Sequence, residues 1–156
     1  MATGRGIVAT SLLLWGVGFT HAAVTWPANA VVAFFAGGAV LTFIAEVVGI
    51  NLGLLEHHVA PRFVGVPLYL LFAWTGAIYP PFRIALVVLD GWAAAALTAV
   101  IVTAYDVLTD HRGVAEGYWS YTDDLPGPRF RGVPWWNYAA WFVLGLLTSL
   151  LAVPFL

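Results

Sequence analysis

The sequence predicts an all-α fold: a polytopic integral membrane bundle of about five helices. Three observations carry that expectation. Of 156 residues, 62% are hydrophobic and only 9% are charged, whereas soluble domains carry about 25% charged residues. Mean hydropathy is +0.90. The apolar residues also gather into five stretches, and a span needs about 20 residues at about 1.5 Å of rise each. Each span is expected to be helical, because lipid offers the backbone no other hydrogen-bond partner. The same composition excludes other classes. The net charge is −2 with no basic run, so no nucleic-acid partner is expected. There is no cysteine, which excludes a disulfide framework and a thiolate nucleophile or metal ligand. No P-loop, Rossmann glycine pattern or Ser-His-Asp arrangement is present, so nucleotide chemistry has no support.

The chain reads as a single membrane domain, 1–156, with spans at about 6–24, 30–55, 64–79, 84–108 and 134–156. Arg5 precedes the first span. A short apolar core behind one arginine also fits a cleaved signal peptide; the four spans that follow favour a retained helix. Trp26-Pro27-Ala28-Asn29 makes a tight turn. The second span contains one charge, Glu46, on a stripe with Thr42, Gly49 and Gly53. Small residues let helices approach closely in lipid, so Gly49 and Gly53 are expected to face a neighbouring helix. The loop 56–62 returns the chain. The third span carries Pro67 in its first turn, where a missing N–H does least harm, and is expected to end at Tyr79-Pro80-Pro81. The fourth runs from Ile84, with Asp90 near its start, where a negative charge favours the N-terminal dipole, and Asp106 near its end. A polar loop, 109–133, holds Asp110, His111, Arg112 and Glu116. The last span opens on Trp135, Trp136 and Tyr138, as an interfacial aromatic belt does. No internal repeat or low-complexity tract is visible.

Arginine sets the orientation. With five spans, Arg5, Arg62, Arg112, Arg129 and Arg131 fall on one side and Arg83 alone on the other. The positive-inside rule then places the N-terminus in the cytoplasm of a multi-pass cell-membrane protein and the C-terminus outside. Glu46, Asp106 and Asp110 all fall toward the cytoplasmic end.

Intramembrane carboxylates cost about 2.5–3.5 kcal/mol at mid-membrane on insertion scales and by default mark function. Glu46 is the deepest. Kept protonated by desolvation, it would be a proton donor; the bland alternative is a hydrogen bond to a neighbouring helix. Asp106 and Asp110 share a helix face and sit nearer water, where plain solvation competes with a role. His57 and His58 are adjacent, outside any H-x-x-x-H or H-E-x-x-H spacing, and read as solvated loop residues, so no metal site is expected. His21 reads as structural. Among the aromatics, Trp74, Tyr105, Trp119 and Trp141 are the candidates to line a cleft and face a cation.

The segments Ala45-Glu46-Val47-Val48-Gly49 with Gly53, and Gly65-Val66-Pro67-Leu68 with Ala73-Trp74, resemble the carotenoid biosynthesis membrane protein family, which includes the carotenoid hydratases and the bisanhydrobacterioruberin hydratase. The second half agrees further. Asp106 and Asp110 with Gly117-Tyr118-Trp119 look like the family's aspartate pair and Gly-x-Trp element. Arg131-Gly132-Val133-Pro134, Asn137 and Trp141-Phe142 look like its Gly-x-Pro-x-x-Asn-x-x-Gly-Trp signature. The likeness covers about 43–142. It departs at Leu55-Glu56-His57-His58-Val59, where the family has a tyrosine-rich stretch, and at Ala140, where it has glycine.

The resemblance implies a hydratase that adds water to a terminal isoprenoid double bond, with the lipid bilayer and a carotenoid or other isoprenoid as partners. Its protein partners would be a second copy or other carotenoid-pathway membrane enzymes. No redox cofactor is required. It also implies catalytic roles for Glu46, Asp106 and Asp110, and substrate contacts from Trp74, Tyr105, Trp119, Asn137 and Trp141. A cyclase-like subunit would use the same acid-initiated cation chemistry. A non-enzymatic subunit would use the carboxylates only to bind a partner helix. Reporter fusions after Pro61, Pro81 and Pro126 should read inside, outside and inside; an outside signal at Pro126 would overturn the placement of the acidic cluster.

Overall fold

The computed structural model describes residues 4–156. Five helices cross the bundle: α1 (Arg5–Thr25), α2 (Ala28–Asn51), α3 (Leu70–Val88), α4 (Gly91–Ala115) and α5 (Trp135–Ala152). Each is long and apolar enough to span a membrane. Their outward faces suit lipid: Val24 and Val87 are 82% exposed and Trp92 is 75% exposed. The chain is a polytopic helical membrane bundle.

Several expected boundaries move. The third span begins at Leu70 and runs through Pro80 and Pro81 to Val88, because Tyr79 and Phe82, which flank the prolines, are both buried against Trp26 and Phe34. Proline is tolerated in membrane helices where neighbouring groups take over the freed carbonyls. Arg83 therefore lies within a helix, its guanidinium 5.7 Å from the Trp26 ring. The chain turns at Leu89-Asp90, and an outer reporter belongs there rather than after Pro81. Asp90 takes the N-cap position of α4 and makes no side-chain cap. Because α4 starts later than expected, it also ends later, at Ala115. Asp110, His111 and Arg112, expected in the polar loop, are helical. The second span ends at Asn51, not at 55.

The last correction exposes a repeat. Gly53 does not face a helix. It has φ +68° and open space where a Cβ would be. It closes α2 as a Schellman turn, with Gly53 N–H donating to the Ile50 carbonyl and Leu54 N–H to that of Gly49, both at 3.0 Å. Helix α4 ends identically. Gly117 has φ +73°, its N–H donates to the Val114 carbonyl (3.0 Å), and Tyr118 N–H donates to Gly113 (2.9 Å). Each turn leads into a short strand, β1 (Leu55–His57) or β4 (Trp119–Tyr121), and each strand into a hairpin. The first hairpin is β2 (Arg62–Phe63) with β3 (Val66–Pro67), and the second is β5 (Arg129–Phe130) with β6 (Val133–Pro134). Their sequences are Arg-Phe-Val-Gly-Val-Pro and Arg-Phe-Arg-Gly-Val-Pro. Both turns hold two consecutive residues at positive φ, Val64 and Gly65 in one, Arg131 and Gly132 in the other, as a two-residue hairpin of matching twist requires. Thus α2–β1–β2–β3–α3 and α4–β4–β5–β6–α5 are two copies of one unit, with α1 outside both.

A pseudo-two-fold axis relates the copies. Strands β1 and β4 pair antiparallel, with Leu55 opposite Tyr121, Glu56 opposite Ser120 and His57 opposite Trp119. Exchanging the halves maps this ladder onto itself. The flanking bonds, His58 N–H to Tyr118 (2.8 Å) and Thr122 N–H to Leu54 (3.0 Å), also interchange. The ladder fastens the two inner connections together at one end of the bundle.

The opposite end is packed solid with rings. Trp26, Phe34, Phe35, Tyr79 and Phe82 are all buried; Phe34 stacks on Phe82 at 5.8 Å, and Phe35 lies 5.5 Å from Tyr79. A π-helical turn, Ala33–Gly37, within α2 lets two successive phenylalanines reach this core. His21 is structural, as expected, with its Nδ1 2.7 Å from the Tyr79 hydroxyl. Close helix crossings use Gly38 against Thr75 and Thr148, Gly76 against the Trp15 backbone, and Gly145 against Val102. These are the small-residue contacts expected in lipid. Gly49, by contrast, abuts Leu55 of its own connection.

A methyl at Gly113 would come within 2.1 Å of the Trp119 ring, whereas one at Gly16 meets nothing within 4 Å. Overpacking of this kind costs about 1–3 kcal/mol. Gly113→Ala should therefore lower the thermal midpoint in detergent, and Gly16→Ala should not; equal melting would show that Trp119 does not lie on α4.

Candidate functional site

Between the helix ends joined by the β1–β4 ladder lies a chamber of about 640 Å³. The repeat explains what it holds. Each unit sends one buried carboxyl toward the axis one turn before its Schellman glycines, Glu46 from α2 and Asp110 from α4, both 7% exposed. Each carboxyl meets the last residue of the strand that follows. Glu46 Oε2 is 2.8 Å from His57 Nε2, and the Tyr121 hydroxyl donates to Asp110 Oδ2 at 2.7 Å. Each unit then returns a tryptophan from its second helix. Trp74 and Trp141 are those equivalent residues, and they stack at 3.8 Å with ring planes 22° apart. Trp74 Nε1 also donates to Glu46 Oε1 at 3.2 Å.

One acid breaks the symmetry. Asp106, 2% exposed, stands where the first unit has Thr42. Asn137 Nδ2 donates to its Oδ2 at 2.8 Å, and the first unit has Leu70 in place of Asn137. The chamber therefore carries three buried carboxyls, each with a different hydrogen-bond partner. Glu46, Asp106, Asp110, Trp74, Tyr105, Trp119, Asn137 and Trp141 all line it. Tyr105, half exposed, stands at its rim. Helix α1, for which the sequence suggested no role, closes one side with Ile7, Thr10, Ser11 and Leu14.

His57 is not a solvated loop residue. It is 4% exposed and paired with Glu46, because the β1–β4 ladder turns its side chain inward, beside Trp119 at 6.3 Å between ring centroids. Its carbonyl accepts from Arg62. His58, the next residue along an extended strand, points away and meets Ser120 Oγ at 3.0 Å near the surface. Tyr69 and Tyr121 were likewise not singled out by sequence. Burial pushes the Tyr69 phenol up from its usual range, and the Glu46 charge pushes it further. Burial and then the charge of Asp110 raise Tyr121, so it stays protonated and remains a donor. Three buried polar atoms of chamber residues, His57 Nδ1, Tyr69 OH and Trp119 Nε1, have no partner among the described residues. Such atoms suit a polar guest, water included.

A family model described as carotenoid biosynthesis protein matches residues 6–156. The chain belongs to this family. Among individual relatives, the bisanhydrobacterioruberin hydratase of Haloarcula japonica is 41% identical over 54 residues, which make up 35% of this chain and 17% of that protein. No solved structure matches.

Asn137→Leu removes the donor to Asp106 and leaves a buried carboxyl oxygen unpaired, a loss of about 1–3 kcal/mol. The thermal midpoint in detergent should fall, and Asn137→Gln should restore only part of it. An unchanged midpoint for Asn137→Leu would show that this hydrogen bond does not hold α4 to α5.

Proposed function

We propose that this carotenoid biosynthesis protein is a hydratase that adds water to a terminal isoprenoid double bond. The observation that carries the reading is the chamber: three buried, differently partnered carboxyls and a stacked tryptophan pair meet in one cavity of a membrane bundle. Hydration of such an alkene needs an acid, a face to stabilise a tertiary cation, and an oriented water. Glu46, buried in the chamber wall between His57 and Trp74, is assigned the role of proton donor. The Trp74–Trp141 stack, which lines the chamber, offers ring surface suited to the cation, an interaction worth about 2 kcal/mol when desolvated. Asp106, fixed by Asn137, orients the water, with Asp110 one helical turn away.

The reaction balances without a cofactor. The carboxyl proton forms a new C–H bond as the π bond breaks. Water then forms the C–O bond and sheds one proton, which restores the one Glu46 gave up, so alkene and water give a tertiary alcohol. The substrate reaches the chamber from the bilayer, with its reacting end toward the arginine-rich, cytoplasmic side and its chain in lipid.

The test is conversion in cells that accumulate an acyclic carotenoid. Expression should yield a product heavier by one water. Glu46→Gln and Asp106→Asn keep size and hydrogen bonding but remove the acid, and loss of a general acid costs about 10²–10⁴-fold. Both should insert and fold while precursor accumulates. Near-normal product from either variant removes that residue from the mechanism, and cyclised product would favour cyclase chemistry instead.

A further inference from the structure

The two units bring equivalent carboxyls to one chamber but give them unlike partners. His57 and Tyr121 end the equivalent strands β1 and β4, and each bonds the acid of its own unit. We propose that this single difference divides the labour: His57 returns the proton to Glu46 after each turnover, whereas Tyr121 only holds Asp110 in place. The inference rests on the hydration reading and assigns His57 as the proton-relay residue between the adding water and Glu46.

The chemistry of the two side chains carries the distinction. A phenol raised by burial keeps its hydrogen and presents a single oxygen, here committed to Asp110, so it orients that carboxyl and has no second atom at which to collect a proton. An imidazole has two nitrogens and can take a proton on one while releasing another. In His57, Nε2 faces Glu46 Oε2 at 2.8 Å. Nδ1 is buried without a partner among the described residues, so it is the nitrogen free to accept. The cycle then closes. Glu46 gives its proton to the alkene and becomes a carboxylate. The water that adds to the cation sheds a proton, which Nδ1 takes up, and Nε2 releases its own proton to Glu46. The imidazole is left neutral with its hydrogen on the other nitrogen, and tautomer exchange through chamber water restores it. No proton is gained or lost overall.

Neighbouring charges bear on this pair. Asp106 and Asp110 face the chamber from α4, and Tyr69, Tyr118 and Tyr121 face it from the connections. Arg112 and Glu116 stand further along α4 and at its end. None of these replaces the link from His57 to Glu46, since the bonds of Asp110 and Asp106 go to Tyr121 and Asn137.

The experiment has one arm without substrate and one with it. In detergent-solubilised protein, the carboxyl stretch of Glu46 is identified by infrared spectroscopy as the band lost in Glu46→Gln. Its frequency should shift in His57→Gln, which replaces the imidazole contact with an amide, and stay fixed in Tyr121→Phe. An unshifted band in His57→Gln overturns the pairing. Should that variant not fold, wild-type protein with isotope-labelled histidine decides: the His57 Nε2 resonance should move in Glu46→Gln, and an unmoved resonance overturns the pairing.

In the activity arm, His57→Gln and His57→Tyr should each lose about 10²–10⁴-fold in turnover with little change in KM. Added imidazole should partly restore His57→Ala and leave Tyr121→Phe unrestored, whatever turnover that variant loses, while His58→Gln, outside the chamber, should keep wild-type turnover. Near-normal turnover in His57→Tyr, which keeps a hydrogen bond to Glu46 but no second proton site, overturns the relay alone. A wild-type protein that makes no hydrated product removes the hydration reading, and the relay with it, even if the infrared coupling holds.

Discussion

The β1–β4 ladder is the contact on which the site depends. It is only three residues long on each side, yet it fixes His57 and Trp119 beside one another and aligns Tyr121 with the end of α4. A two-stranded ribbon this short has no stability of its own in water. Here each strand is anchored by a Schellman turn at the end of a membrane helix, so little further chain entropy is lost when the strands pair. The glycines at 53 and 117 matter for the same reason: their positive φ sends the chain back across the chamber mouth instead of onward into water. Without that reversal, His57 and Tyr121 would not be returned to Glu46 and Asp110.

Burying three carboxyls beside a bilayer carries a cost, and the bundle offsets it through partners rather than exposure. His57, Trp74, Asn137 and Tyr121 each supply a hydrogen-bond contact to a carboxyl. Breaking one such buried pair is more damaging than never having built it, so these partners are expected to matter for folding as well as chemistry. Rigidity comes from the other end. The aromatic cluster of Trp26, Phe34, Tyr79 and Phe82 locks α2 and α3, and Gly145 lets α5 lie against Ala99 and Val102 of α4. A solid half at the aromatic end can hold the open half around the chamber to a defined shape.

Much of the fold was legible in the sequence because lipid imposes so strict a rule. Five apolar stretches can only be helices, and five helices are found. Boundaries were less legible where a local signal yielded to packing. Pro80-Pro81 reads as a stop but lies inside α3, and the shift carried Asp110 from loop to helix. The acids were legible because a carboxyl in an apolar run is conspicuous. Their partners were not, since His57 and Tyr121 stand in connections that look solvated until the ladder forms. One signal was available. Arg62-Phe63-Val64-Gly65-Val66-Pro67 and Arg129-Phe130-Arg131-Gly132-Val133-Pro134 match at five of six positions, and Gly49 with Gly53 matches Gly113 with Gly117. Aligning these pairs sets Glu46 against Asp110, His57 against Tyr121 and Trp74 against Trp141.

The repeat also constrains how the chemistry can be shared. A symmetric site would present two identical acids and could not distinguish the face that is protonated from the face that receives water. Acid–base chemistry on one alkene needs groups of unlike proton affinity, set apart by their environments. The differences sit where that need predicts: His57 against Tyr121 beside the equivalent acids, and Asp106 with Asn137 where the first unit has Thr42 and Leu70. The stacked Trp74 and Trp141, by contrast, remain the same in both units. A ring stack offers a cation the same electron-rich surface whichever unit supplies it, so symmetry is no handicap there. On the proposed hydration reading, the units keep in common the ring pair offered to the cation and differ in the groups offered to its protons.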